Sequence, residues 1–298
     1  MRNNYKLSAL KFPRKVIIYI AGRELINWIK DKTFLKLMYW AKTGKKLNLK
    51  NPVFYSEKIQ WLKLYEVKEN YSQYVDKLEV RSFVKEKIGE DHLIPLIGIY
   101  NSVSEIDWKS LPDKFVLKCT HGSGSNIVCE DKSKLNYKDS SRKLKKWVER
   151  NYYWYGRSKP YKNIKPRIIA EEYMVDDSGF ELKDYKIFCF NGEPKIIQVD
   201  YSHFTNNKRN IYDTEWNYLP VSFLYNSDPN VAINKPKNLS KMLDIARTLS
   251  NSFVHVRIDL YVVFDKIYFG EMTFFPESGF GEFEPSTFSK EMGNYIKI

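Results

Sequence analysis

The sequence holds only three cysteines in 298 residues, Cys119, Cys129 and Cys189. They form no close pair and no metal-ligand spacing, so a disulfide framework and a zinc site are excluded. An odd count in strand-like runs points to reduced thiols and a cytoplasmic protein. Long apolar runs are missing too. The longest, such as Val16–Gly22, is far shorter than the roughly 20 residues that span a bilayer. No long apolar core with a small-residue cleavage site opens the chain, so no secretory signal is expected. Repeats and low-complexity segments are also absent. Ample apolar and aromatic residues, 43% and 16%, exclude global disorder and supply a core for one large domain or two intimate ones.

Charge is plentiful but unevenly spread. Residues 1–50 contain 13 Lys and Arg against only Glu24 and Asp31, so they carry almost all of the net charge of +13. Leu25, Ile26, Trp28, Ile29, Phe34, Leu35, Leu37, Met38 and Trp40 recur among these cations at roughly helical spacing. A basic amphipathic helix reads as an anionic membrane surface binder, or as a helix packed on the body with a solvated basic face. No recognition module accompanies the charge, so nucleic acid is not an expected partner.

Beyond Asn51-Pro52, Ser56–Leu64 and Lys77–Ile88 read as helices, the second stopped by Gly89. Leu93–Tyr100, Phe115–Thr120, Ile127–Cys129 and Ile168–Met174 read as strands, and Ser140–Tyr155 as one basic, aromatic-rich helix. Asp184–Phe190 and Lys195–Asp200 flank Asn191-Gly192, the strongest hairpin signal in the chain. Ser240–Phe253 is a helix leading into a last pair of strands. The class is α+β with mostly antiparallel sheets.

That last pair carries the chemistry. Val254, Val256, Ile258, Leu260, Val262 and Phe264 alternate as one apolar face, which leaves His255, Arg257, Asp259 and Tyr261 on the other. Glu271 and Thr273 share a face of the next strand. An acidic oxygen cluster beside a fixed guanidinium suits Mg²⁺ and the phosphates it bridges. With a two-residue turn at Asp265-Lys266, Asp259 faces away from Glu271. An odd loop or a bulge is needed to bring them together. The loop His121-Gly122-Ser123-Gly124-Ser125-Asn126 between two strands can form an anion nest. It lacks the Gly-Lys-Ser/Thr ending of a Walker loop, so a P-loop NTPase is disfavoured. Lys118 is a cation inside an apolar strand just before that loop, for which a phosphate is a natural partner. Asp184 and Lys186 likewise share a strand face with Phe188 and Phe190.

In order along residues 55–298, the segments FVLKCTHGSGSNIV, IIAEEYM, LKDYKIFCFNGEPKIIQVD and VRIDLYVVFDKIYFGEMTFFPESG resemble the TupA-like group of the ATP-grasp superfamily, linked to bacterial surface-polysaccharide synthesis. The resemblance implies two lobes sandwiching ATP: a small lobe over 113–172, a large lobe over 173–298, a helical and strand region over 51–112, and the arm 1–50. It assigns Lys118 and loop 121–126, with Gly122, Ser123, Gly124, Ser125, Asn126 and His121, to nucleotide phosphate. Glu171 or Glu172 contacts the nucleotide; Lys77 and Asp184 are placed with it, and Lys186 holds the triphosphate. Arg257 stabilises the transferring phosphate, and Asp259, Glu271 and Thr273 hold Mg²⁺, although Thr273 stands where the superfamily usually has asparagine.

The implied activity is ATP-dependent carboxylate–amine ligation through an acyl phosphate. The carboxylate would be a uronic acid or acidic glycan, and the amine an amino acid or a similar compound. Tyr152, Tyr153, Trp154 and Tyr155 offer faces for sugars. An ATP-grasp kinase acting on a glycan hydroxyl, or a non-catalytic glycan- or membrane-binding protein, are the rival readings.

Overall fold

The computed structural model describes residues 13–298 apart from 180, 181, 202–207, 226 and 232. The first part of the basic arm, residues 1–12, lies outside the described residues. Helices α1 (Pro13–Gly22) and α2 (Asp31–Thr43) follow, and α2 ends at Gly44, whose φ of 81° turns its N–H back to the Trp40 carbonyl. Phe34, Leu35 and Met38 of α2 pack with Ile26 and with Phe280 near the far end of the chain. Tyr39 and Ser56 share a buried hydrogen bond of 2.9 Å, and the Tyr153 hydroxyl donates to Asp31 at 2.6 Å. From Asp31 onward the arm is therefore a packed element. Its exposed large apolar residues lie earlier, at Ile18, Tyr19, Leu25 and Trp28.

Helix α3 (Tyr55–Tyr65) begins where Glu57 accepts the Val53 and Phe54 N–H groups, at 2.9 and 3.2 Å. Helix α4 (Val80–Ile88) starts three residues later than the sequence suggests. Asp76 caps the Leu78 and Glu79 N–H groups at 2.8 and 3.1 Å, and the Lys77 N–H goes instead to the Thr120 carbonyl at 3.1 Å. Lys77 is thereby tied to the sheet that follows.

That small sheet holds β1 (Leu96–Tyr100), β2 (Phe115–Cys119), β3 (Asn126–Cys129) and β4 (Ile168–Glu172), in the antiparallel order β1-β4-β2-β3. Phe115, Leu117, Ile168 and Ala170 point to one face, where helix α5 (Tyr137–Val148) packs through Leu144. The single helix expected over Ser140–Tyr155 is two pieces. The Asn151 side chain accepts the Tyr153 N–H at 3.0 Å and restarts the chain as one turn, Tyr153–Gly156. Such an aspartate-like cap competes with a continuing helix.

The large sheet takes β5 (Asp184–Phe190), β6 (Glu193–Tyr201), β7 (Lys208–Asp213) and β8 (Tyr218–Leu219). β9 (Ser222–Phe223) lies outside it, and helix α6 (Leu239–Ser250) precedes β10 (His255–Val263) and β11 (Lys266–Thr273). The strand order is β11-β10-β5-β6-β7-β8. β12 (Phe283–Glu284) pairs with β9, and α7 (Ser286–Asn294) follows it. The β5–β6 hairpin turns on Asn191 and Gly192, with φ 51° and 82°, as the sequence indicates.

One face of the large sheet, with Ile187, Cys189, Ile197, Val256, Ile258 and Leu260, is covered by Met242, Ala246 and Leu249 of α6. Burying each large apolar side chain contributes about 1.5–3 kcal/mol. The opposite face divides in two. One end is aromatic, with Phe188, Phe190, Phe223, Phe283 and His255 around Tyr55. The other end is charged.

The β10–β11 turn differs from expectation. It uses Phe264 and Asp265, with φ 47° and 61°, and joins Val263 to Lys266. Asp177 fixes it by accepting the Phe264 N–H at 2.7 Å, and Phe264 is exposed rather than part of the apolar face. Register then slips by one residue at Gly270, so Asp259 pairs with Glu271 while Leu260 pairs with Phe269. A Cβ at Gly270 would lie 3.0 Å from the Asp259 carbonyl and 3.0 Å from the Tyr261 ring, so only glycine fits this bulge without displacement.

Candidate active site

Because facing residues of antiparallel strands share a side, the register collects ten positions from five strands on one surface. Arg257 opposes Phe188 and Thr273, Asp259 opposes Lys186 and Glu271, Lys186 opposes Gln198, and Asp184 opposes Asp200, which opposes Arg209. Above this surface lies a cavity of about 690 Å³, lined also by Lys77, Ser123, Gly124, Asn126, Arg150, Tyr152, Tyr161, Tyr225 and Glu277. It lies between the two sheets.

Arg257 is the hub. Its Nε and Nη2 donate to the two Asp259 oxygens, each at 2.6 Å, and Nη2 also reaches Glu271 Oε1 and Thr273 Oγ1 at 3.3 Å. Burial disfavours the guanidinium charge, but Asp259 and Glu271 outweigh that and hold its pKa up. Burial pushes the Asp259 carboxyl up, opposed by Arg257 and Lys186. Burial also works against Glu271, yet Lys77, Arg257 and Lys186 pull it down to about 2. Lys186 contacts Asp184 and stands 3.4 Å from Asp200 and 3.7 Å from Asp259. Arg209 grips Asp200 with two bonds, 2.6 and 3.0 Å; against burial, that grip and Lys186 bring Asp200 down to about 2. Opposite charges at such distances favour the ionised forms.

The small sheet brings a second group. Lys118 Nζ lies 2.7 Å from Glu171 Oε2, and Arg81 lies 3.4 Å from Glu171 Oε1. Glu171 and Lys118 occupy the sheet face opposite the one packed on α5, whereas Glu172 is exposed. Burial and hydrogen bonding thus distinguish the two glutamates. Lys77 reaches across, donating to the Gly122 carbonyl at 2.7 Å and standing 3.5 Å from Glu271 Oε2. Ser125 stays within the loop, its carbonyl accepting the Cys119 N–H at 3.0 Å.

His121 is the correction. Its Nε2 lies 3.1 Å from the carbonyls of Trp147 and Arg150, its side chain is buried against α5, and burial lowers its pKa despite those bonds. It therefore packs the loop and does not face a phosphate. Gly122 lies against Tyr152, where a Cβ would sit 3.2 Å from the ring.

Sequence reasoning also missed Arg81, Asp200, Arg209 and Tyr161. Gln198 and Asp200 carry a readable signal, being polar at alternate positions of an otherwise apolar strand. Arg81 has none, since a helical arginine is ordinarily solvated.

Carboxylates and a hydroxyl are the hard oxygen donors that Mg²⁺ takes. Glu271 and Thr273 line the cavity, and Asp184 Oδ1 is buried with no hydrogen-bond partner among the described residues. Among the described residues no three carboxylate, imidazole or thiol groups cluster closely enough to hold a metal ion by themselves. Thr273 Oγ1 also donates to Glu271 Oε1 at 3.0 Å, so its hydroxyl orients that carboxylate.

Two sheets enclosing a cleft, with a glycine loop on one and an Arg–Asp–Glu face on the other, are the architecture of an ATP-grasp enzyme. The chain belongs to the TupA-like ATPgrasp family, whose model matches residues 57–297. Among solved structures, D-alanine–D-alanine ligase from Bacillus anthracis, complexed with ATP, matches with 11% identity and a TM-score of 0.46, over 95% of this chain and 91% of that one. An L-amino acid ligase from Bacillus licheniformis matches with 13% identity and a TM-score of 0.44, over 75% of this chain and 49% of that one. The D-alanine–D-alanine ligase from Helicobacter pylori gives 13% identity and a TM-score of 0.42, over 82% and 69%. The chain thus spans about half the length of the Bacillus licheniformis enzyme. No protein of curated function matches the sequence.

Proposed function

We propose that the protein is an ATP-dependent carboxylate–amine ligase, joining an amino acid or similar amine to a uronic acid or other acidic glycan. The observation that carries this reading is the single charged surface of Lys186, Arg257, Asp259 and Glu271 beneath the 121–126 loop, in a cavity large enough for a nucleotide and a second substrate. Lys77, Lys186 and the loop bind and orient the triphosphate. Asp259, Glu271 and Thr273, with Asp184 nearby, would hold Mg²⁺, which when bound would supply charge neutralisation for phosphoryl transfer. Arg257 is fixed before any substrate arrives, so it offsets charge developing on the acyl centre without reorganisation. Lys118 and Glu171 serve the nucleotide from the small sheet, and Arg81 orients Glu171. Tyr152 and Tyr155, stacked at 5.8 Å, offer a face to a sugar ring.

The lobes are read as 113–172 and 173–298, with 51–112 and the arm 1–50 bracing them, in a cytoplasmic protein. Exposed Leu25 and Trp28 beside Arg23, Lys30 and Lys32 support docking on an anionic membrane, where lipid-linked glycans are built. No described helix is long and apolar enough to cross a membrane.

The test is a screen of uronate and amino-acid pairs for ADP release, with mass spectrometry of the products. An amide mass supports the ligase. A stable phosphoester in its place assigns a kinase.

A further inference from the structure

The segment Pro276–Gly279 borders the cleft in a conformation that L-residues rarely adopt. Glu277 (φ 51°, ψ 31°), Ser278 (φ 53°, ψ 27°) and Gly279 (φ 69°) are three successive left-handed residues, and only the last is glycine. Non-glycine residues persist there only when their surroundings over-determine them. Here helix α3 does so. Gln60 Nε2 and Lys63 Nζ both donate to the Ser278 carbonyl, at 3.0 and 2.5 Å, and Lys63 also donates to the Gly156 carbonyl at 2.8 Å. Gln60 and Lys63 are fully buried, and a Cβ on Gly279 would come within 2.6 Å of Ile59. The turn cannot relax without disturbing α3.

What this turn presents is the Glu277 carboxylate, exposed at the cavity wall. Every other carboxylate lining the cavity has a cation: Asp184 has Lys186, Asp200 has Arg209, Asp259 has Arg257, and Glu271 has Lys77. Glu277 has no hydrogen bond or ion pair from its side chain among the described residues. The nearby Lys42 sits over the rings of Phe280 and Tyr155, at 4.8 and 5.3 Å. Phe275, Tyr152 and Tyr155 line the same cavity, and aromatic faces also favour a cation.

We propose that Glu277 receives the protonated primary amine of the co-substrate and takes its proton, a role that rests on the ligase reading. An ammonium group has no lone pair and cannot attack. One proton passes from R–NH₃⁺ to the Glu277 carboxylate. The freed nitrogen lone pair forms the C–N bond at the acyl carbon, and the C–O bond to phosphate breaks with its electron pair leaving on phosphate. The second proton lost from nitrogen goes to that phosphate, giving the amide and hydrogen phosphate. Glu277 then releases its proton to solvent. Lys63 and Gln60 are positioning residues, acting through the turn they hold.

The test uses the full chain and glycinamide, a primary ammonium at pH 7, titrated by NMR into the wild type, Glu277→Gln and Glu277→Asp. Acetamide is the neutral control. The expected result is saturable binding of glycinamide, about tenfold weaker in Glu277→Gln and partly kept in Glu277→Asp, as loss of a charged hydrogen bond predicts. Equal affinity in wild type and Glu277→Gln, or no saturable binding to the wild type, overturns the proposal. Mg-ATP binding is measured separately on the same samples. Its failure beside Glu277-dependent glycinamide binding removes the ligase reading and leaves the ammonium site standing.

Discussion

Lys77 stands 3.5 Å from Glu271 across the cleft while its backbone is bonded to the small sheet and its side chain to the Gly122 carbonyl. One cation thus ties the glycine loop to the acidic face of the other sheet. Replacing it should loosen both. Lys77→Met is expected to weaken Mg-ATP binding by roughly ten- to a hundredfold, since hydrogen bonds to charged groups contribute about 1.5–3 kcal/mol. Calorimetric titration reads this directly, and an unchanged affinity would assign Lys77 to structure alone.

The two acidic residues beside Arg257 should respond differently to neutralisation. Glu271 faces the cavity, and Glu271→Gln is expected to fold normally while turnover falls by roughly a hundredfold or more. Asp259 is buried and takes the two shortest of the Arg257 bonds. Asp259→Asn leaves a buried guanidinium poorly paired, which costs about 3–5 kcal/mol, so this variant loses stability along with activity. Urea midpoints beside ADP-release rates separate the two. Equal midpoints would show that the Arg257–Asp259 pair does not support the fold.

His255 makes stability sensitive to acid. Tyr55 and the Phe274 carbonyl engage its two nitrogens at 3.0 Å each, and burial drives its pKa down to about 3. The unfolded chain therefore binds a proton near pH 6.5 that the folded chain refuses. Stability is fully present above pH 6.5 and falls as pH drops from there towards 3, by up to about 1.4 kcal/mol per unit. Denaturation at pH 7 and pH 5 should show the wild type losing about 2 kcal/mol more than His255→Phe. The depressed carboxylates titrate lower still, so they contribute little in that window.

Membrane docking by the arm predicts binding to vesicles of anionic lipid that weakens as salt rises. Truncation is unsuited to the test, because Phe34, Leu35 and Met38 belong to a packed cluster. Trp28→Ser with Leu25→Ser, at exposed positions, keeps that cluster intact. Co-sedimentation of this double variant should fall well below wild type, and equal sedimentation would leave the arm as a brace.

Alternation told which residues share a face, so Arg257, Asp259 and Tyr261 were legible, as were the Asn191-Gly192 hairpin and the glycine loop. Partners across strands distant in sequence were not. β10 lies beside β5, some 70 residues earlier, and only that pairing sets Lys186 opposite Asp259. Asp200 and Arg209 reach the site by one and two further steps across the same sheet. The break at Asn151 was hidden because its cap depends on a local turn, not on periodicity. His121 looked available beside the glycines because nothing in the chain shows that α5 ends against it.

The extra residue at Gly270 gives the acidic face an arithmetic character. Were Gly270 instead paired in a regular ladder with Asp259, Glu271 and Thr273 would turn towards α6 and the apolar Met272 into the cleft. No graded series of substitutions leads from one arrangement to the other. The acidic face of β11 is accordingly something the ladder either presents or hides, according to whether one residue is held out of the pairing at Gly270, and a chain lacking that residue would still set Glu271 opposite Asp259.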